Sequence, residues 1–173
     1  MIVLKILLNI VLLPFKIIIQ ILRWILGGIN NKRRIRDLKN TDINKIDSLN
    51  GFEFERFVGE VFKAYGYKTR VTQKSGDYGA DIIAYKAGRS YAVQTKMYFG
   101  HTVGNKAVQE AYTAKSYYNT DVAVVFCNSN FSKNAVITAE NLDVVLICRE
   151  DMINIISKGF DLKKYSLINY LEK

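Results

Sequence analysis

Asp81-Ile82-Ile83-Ala84-Tyr85-Lys86-Ala87-Gly88-Arg89-Ser90-Tyr91-Ala92-Val93-Gln94-Thr95-Lys96 is the stretch that decides the fold. Two apolar runs, over 81–86 and 90–96, flank Ala87-Gly88-Arg89, and together they read as an antiparallel hairpin. Pairing Tyr85 with Ser90 puts Asp81 opposite Gln94 and close to Lys96. Gln94 and Lys96 stand two apart, so both side chains leave one face of the strand. A carboxylate, an amide and an ammonium therefore converge at one end of the hairpin.

Upstream, Asn50-Gly51-Phe52-Glu53 has the pattern of a capping box. Phe54, Phe57, Val58, Val61, Phe62 and Tyr65 follow at helical spacing, and Gly66 closes the run. A strand over 67–73 and a glycine-rich turn, Ser75-Gly76-Asp77-Tyr78-Gly79-Ala80, lead into the hairpin. Downstream, the spacing predicts helices over 103–118, 132–142 and 149–158, with buried strands over 121–127 and 143–148. The order α-β-β-β-α-β-α-β-α defines an α/β domain whose mixed sheet carries helices on both faces.

Composition narrows the chemistry. The chain has 173 residues, which suits one domain of ordinary size rather than two enzymatic ones. Two cysteines, Cys127 and Cys148, make no disulfide framework and read as buried, reduced thiols. With a single histidine, His101, a zinc cluster is ruled out, and a catalytic metal has to be oxygen-bound, such as Mg²⁺. Asp81, Gln94 and Lys96 beside a glycine turn suit phosphodiester hydrolysis, which needs oxygen ligands for a divalent metal and a cation near the attacking water. The peptide carbonyl of Thr95 is a further candidate ligand. Asp81 and Gln94 bring one negative charge, so a second acid is expected. Glu55, at the polar edge of the first domain helix, is the candidate, and Asp77 in the glycine turn competes with it. Gln109 is placed to position Lys96 or DNA. His101 reads as a loop residue, and Tyr91, Tyr98, Tyr112, Tyr117 and Tyr118 as packing groups.

The formal charge of +9 is unevenly spread. Residues 1–40 hold eight basic groups against Asp37, so +7 lies there and +2 remains for the rest. The first 26 residues are mostly Ile, Leu and Val, interrupted by Lys5, Asn9, Lys16, Gln20 and Arg23. These five fall within a roughly 60° sector of a helix. The run is long enough to span a bilayer; a helix lying in the interface with its polar stripe toward water and a buried packing helix are the other arrangements. Pro14 is expected to kink it. Gly27-Gly28 ends the apolar run, and Lys32-Arg33-Arg34-Ile35-Arg36 then favours the cytoplasmic side. Residues 30–48 read as a polar linker with some helix.

Gly51-Phe52-Glu53-Phe54-Glu55, Gly66-Tyr67, Gly76-Asp77-Tyr78-Gly79-Ala80-Asp81-Ile82-Ile83 and Val93-Gln94-Thr95-Lys96 resemble the catalytic domain of Mrr-type restriction endonucleases. These belong to the PD-(D/E)xK nuclease superfamily, in a branch with QxK in place of ExK. The resemblance continues through Val103–Glu110 and Phe131-Ser132-Lys133-Asn134-Ala135. It implies a restriction-endonuclease-like αβββαβ core, with Asp81 as metal-binding acid, Lys96 as catalytic lysine, Gln94 as its motif partner and Glu55 as the acid of the first helix.

The expected organisation is a membrane-anchoring helix over 1–28, a basic juxtamembrane linker over 29–48, an endonuclease domain over 49–158 and a tail over 159–173. The expected function is a Mg²⁺- or Mn²⁺-dependent DNA endonuclease at the cell membrane, its domain on the cytoplasmic side, restricting foreign DNA. Asp81, Glu55, Gln94 and Thr95 would bind the metal, and no small-molecule cofactor is expected. A homodimer would serve double-strand cutting. Two other functions fit the same residues: a catalytically weak, membrane-tethered DNA-binding module, and a protein-interaction module on the same fold.

Overall fold

The computed structural model describes residues 2–72 and 78–160. Its elements are α1 (Ile2–Lys39), α2 (Ile43–Asp47), α3 (Gly51–Ala64), β1 (Lys68–Val71), β2 (Ile82–Lys86), β3 (Arg89–Lys96), α4 (Asn105–Tyr117), β4 (Val122–Cys127), α5 (Lys133–Leu142), β5 (Val144–Ile147) and α6 (Arg149–Lys158). From α3 onward this is the order read from the sequence, with ends shifted by a few residues. Gln73, the end of the expected first strand, and Asp77 lie outside the described residues, as do residues 161–173 of the expected tail.

The sheet runs β1-β2-β3-β4-β5 in space. The first three strands are antiparallel neighbours, while β4 and β5 join in parallel. Parallel pairing needs a crossover, and α4 and α5 supply it. Tyr85 pairs with Ser90 as expected, and the ladder closes one pair further at Lys86 and Arg89. That leaves a two-residue turn in which Ala87 (φ 50°) and Gly88 (φ 78°) both take positive φ, the geometry that matches the twist of a tight hairpin.

Strand residues alternate between two cores. Ile82, Ala84, Val93, Val124 and Phe126 face Phe54, Val58 and Phe62 of α3 and Met152 and Ile155 of α6. Ala123, Val125, Val144 and Leu146 face Ala107, Val108 and Ala111 of α4 and Ala135 and Ala139 of α5. The capping box of α3 is formed: Asn50 Oδ1 accepts from Glu53 N at 3.0 Å, and Glu53 Oε2 accepts from Asn50 N at 2.8 Å. Tyr65 Oη donates to Ile155 O at 2.8 Å, which ties the end of α3 to α6.

The segment expected to be a linker is helical and docked. The apolar run ends at Gly27-Gly28, but α1 passes through both glycines to Lys39. Two helical glycines cost roughly 1 kcal/mol each relative to alanine. Packing at the far end offsets that: Leu38 is buried against the core and Ile35 lies beside it. Arg34 Nε also meets Glu60 Oε2 of α3 at 3.3 Å. Asp42 then caps α2 by accepting from Asn44 N at 2.9 Å, and α2 buries Ile46. The Arg149 guanidinium grips Asp47 with two nitrogens, one of them at 2.7 Å, and holds its carboxyl below the usual carboxylate range. Local composition predicted a linker; burial of Ile35, Leu38 and Ile46 overrides it.

Candidate active site

Asp81 sits at the mouth of the hairpin with its backbone held from both sides. Its N–H donates to Val93 O and its carbonyl accepts from Thr72 N, each at 2.9 Å. This fixes the register that aims the side chain, and the predicted juxtaposition follows. Asp81 Oδ2 accepts from Gln94 Nε2 at 2.8 Å, from Thr95 N at 2.6 Å and from Thr95 Oγ1 at 2.9 Å. All three residues are buried. Three donors on one oxygen mark a carboxylate held for its charge rather than a turn-capping group.

The Gln94 amide has a definite orientation. Its Nε2 donates to Asp81 Oδ2 and also, at 3.1 Å, to Thr95 O. Both neighbours accept only, so the nitrogen must face them. An NH₂ group thus bridges two oxygens that a hard divalent cation would also bind. Turned over, the amide would present Oε1 as a third. The donor set therefore fits an oxygen-bound ion such as Mg²⁺ or Mn²⁺. The sulfurs do not compete, since burial pushes the Cys127 thiol up to about 12 and raises Cys148 as well. Among the described residues, no group of three or more His, Cys, Asp and Glu is placed to hold a metal. An ion here would rely on the Asp81 carboxylate together with amide and peptide oxygens.

Lys96, two residues beyond Gln94, reaches across to α4, where its Nζ lies 2.7 Å from Glu110 Oε2. Glu110 Oε1 is 4.0 Å from Lys106 Nζ. Sequence reasoning passed over Glu110 as a site residue. The available signal was an acid set among Ala107, Ala111 and Ala114, the small buried residues that let α4 lie close to the sheet.

The described part of the glycine turn packs on the same helix. Gly79 adopts φ +89°, and a Cβ there would lie 2.8 Å from the Glu110 carbonyl carbon and closer still to its oxygen. Tyr78 stacks on Tyr117 with ring centroids 3.6 Å apart. A cavity of about 330 Å³ opens beside this contact, lined by Tyr78, Gly79, Lys106, Gln109, Glu110 and Thr113. Gln109 thus borders the site.

Of the expected site residues, Asp81, Gln94 and Thr95 are joined by hydrogen bonds, and Lys96 follows on the same strand with its Nζ against Glu110. Glu55 is half-buried in the first turns of α3, the helix on the sheet face opposite α4. Asp77, its competitor, lies outside the described residues. His101 sits in an exposed loop, where its carbonyl accepts from Ser129 Oγ at 2.5 Å.

The chain is similar to known nucleases in sequence and fold. The profile of the family Mrr_cat, described as a restriction endonuclease, matches residues 46–156. No curated protein sequence gives a match. Among solved structures, the DNA modification-dependent restriction endonuclease AspBHI aligns with a TM-score of 0.53 at 19% identity, over 81% of this chain and 39% of that one. AF1548, a protein of unknown function, aligns with a TM-score of 0.51 at 18% identity, over 57% and 58%. This chain spans less than two thirds of either, and at such identities the two speak for the fold. The family match covers more than half of the chain: it belongs to the Mrr_cat restriction endonuclease family and carries a restriction-endonuclease-like fold.

Proposed function

We propose that this protein is a divalent-metal-dependent DNA endonuclease, anchored to a membrane by α1 and restricting foreign DNA. The observation that carries the reading is the convergence of Asp81, Gln94, Thr95 and Lys96 at the end of the hairpin, in a chain of a restriction endonuclease family. Asp81, the Thr95 carbonyl and Gln94 through Oε1 would hold Mg²⁺ or Mn²⁺. When bound, the ion supplies Lewis-acid stabilisation of charge developing on the phosphate oxygens.

The chain's own groups do the rest. Lys96 presents an ammonium to a non-bridging phosphate oxygen and orients the water that attacks phosphorus. One P–O bond forms to that water and one P–O ester bond breaks. Thr95, through its N–H and hydroxyl, keeps the Asp81 carboxylate aimed.

The full chain, purified in detergent, should nick or linearise supercoiled plasmid with Mg²⁺ and stop when EDTA is added; methylated and unmethylated plasmid run side by side read its preference. Salt-sensitive DNA binding without cleavage in either metal would replace this reading with a DNA-binding module. Failure to bind DNA at low salt would point to a protein-interaction role.

The membrane part rests on α1, whose side chains from Leu12 to Ile29 are largely exposed and apolar, including Leu13, Phe15, Ile18, Leu22 and Leu26. Within residues 12–39, an 18-residue window is apolar enough to cross a bilayer by length and composition. The basic residues Lys32, Arg33, Arg34 and Arg36 favour a cytoplasmic domain under the positive-inside rule. In cell fractions the protein should pellet with membranes and resist alkaline carbonate. Release by carbonate would convert the span into an interfacial helix, and recovery in the soluble fraction would remove the anchor.

A further inference from the structure

We propose that Glu110 is a positioning residue that holds the Lys96 ammonium at the reaction centre; the proposal rests on the nuclease reading above and adds to it a residue outside the QxK motif. The argument starts from Gln94. An amide two residues before Lys96 gives the lysine no carboxylate on its own strand. Nearby, Asp81 Oδ2 already accepts three hydrogen bonds. The ammonium turns instead to α4, where Glu110 Oε2 stands 2.7 Å away and is sealed from solvent.

The surroundings make this more than a surface ion pair. The two side chains are 25% and 30% exposed, so the contact is partly shielded from water. The backbone of Glu110 is locked, because Gly79 lies against its carbonyl with no room for a side chain. The turn that delivers Asp81 and the helix turn that delivers Glu110 are thus one packed unit, and Lys96 reaches the second while neighbouring the first. The other oxygen of Glu110 is 4.0 Å from Lys106, whose side chain is 87% exposed at the rim. Glu110 therefore stands between a partly exposed ammonium and a solvent-facing one, beside the 330 Å³ cavity.

A lysine has four rotatable bonds and loses much rotamer freedom when fixed. Pairing with a carboxylate whose backbone is packed against Gly79 reduces that freedom before substrate arrives, so the ammonium is in place when a phosphate enters. Lys106, at the open end, is the cation free to follow the DNA backbone.

Full-length Glu110→Gln, Glu110→Asp and Glu110→Ala proteins test this by steady-state cleavage with Mg²⁺, metal-free DNA binding by anisotropy, and acetylation of Lys96 followed by mass spectrometry. Glu110→Ala should lower kcat by roughly ten- to a hundredfold while KM and DNA affinity change less than about threefold. Glu110→Gln, which keeps an acceptor of the same shape, should recover part of kcat. Acetylation of Lys96 should be several-fold faster in Glu110→Gln and Glu110→Ala than in wild type. A purely structural role predicts parallel losses of kcat, DNA affinity and melting temperature, and would overturn the proposal. So would wild-type kcat in Glu110→Ala, a gain in kcat (which would make the ion pair a restraint), or unchanged Lys96 acetylation. Wild-type protein that does not cut would sink the nuclease reading instead, and the acetylation result would still judge Glu110.

Discussion

DNA cleavage by Lys96→Ala protein is expected to fall about 10³-fold below wild type, with DNA binding nearly unchanged. Lys96 lies at the end of β3, two residues beyond Gln94, and its Nζ is 2.7 Å from Glu110 Oε2. Removing it takes away the cation that would meet charge building on the phosphate, an interaction stronger in the transition state than in the bound ground state. The fold should tolerate the loss. The ion pair is partly exposed, so its removal is worth about 1 kcal/mol. Asp81→Ala would be less clean, because it leaves Thr95 N, Thr95 Oγ1 and Gln94 Nε2 buried without their acceptor. Single-turnover rates at saturating protein, with thermal melts of the same samples, read the effect. A rate within threefold of wild type would remove Lys96 from the mechanism.

The second large effect belongs to stability. Gly79→Ala should destabilise the protein by about 3 kcal/mol, from backbone strain at positive φ plus overlap with the Glu110 carbonyl. Backbone atoms of a buried helix turn cannot move aside as a flexible side chain would. The useful control is Gly88→Ala in the hairpin turn, where φ is +78° but no atom lies within 4 Å of an added Cβ. That substitution carries strain alone, about 1 kcal/mol. Urea unfolding of the two proteins should therefore separate by about 2 kcal/mol, with Gly79→Ala the weaker. Equal losses would mean that the turn does not press on α4 as described.

The hairpin was legible because two independent local signals agreed. Two apolar runs marked the strands and Ala87-Gly88-Arg89 marked the turn, and pairing Tyr85 with Ser90 then placed Asp81 against Gln94. The α3 cap was legible for a similar reason, since Asn50 and Glu53 satisfy each other within one turn. Glu110 was not legible. Its partner is fourteen residues away across a crossover, and periodicity does not say which edge of α4 overhangs the strand end. The course of residues 30–48 was hidden by the opposite problem. Gly27-Gly28 and Asn30-Asn31 argue locally for a break, and only docking of Leu38 and Ile46 shows why the helix continues. Glu55 was legible as an acid on the first domain helix, but the sequence could not say that the helix packs on the face opposite α4.

Continuity of α1 has a consequence for how such an enzyme would find its substrate. A twenty-residue flexible leash would let the domain roam over roughly 25 Å. An unbroken helix is a strut instead. From Ile29 to the docked Leu38 it advances only about 14 Å, at 1.5 Å per residue. With the anchor in a bilayer, the cleft keeps a fixed height and tilt above the surface and cannot sweep the cell interior. The capture zone becomes a thin shell along the membrane, sampled by lateral diffusion. DNA passing through that shell as it enters would be met at once, while a chromosome held deeper in the cell would stay beyond reach.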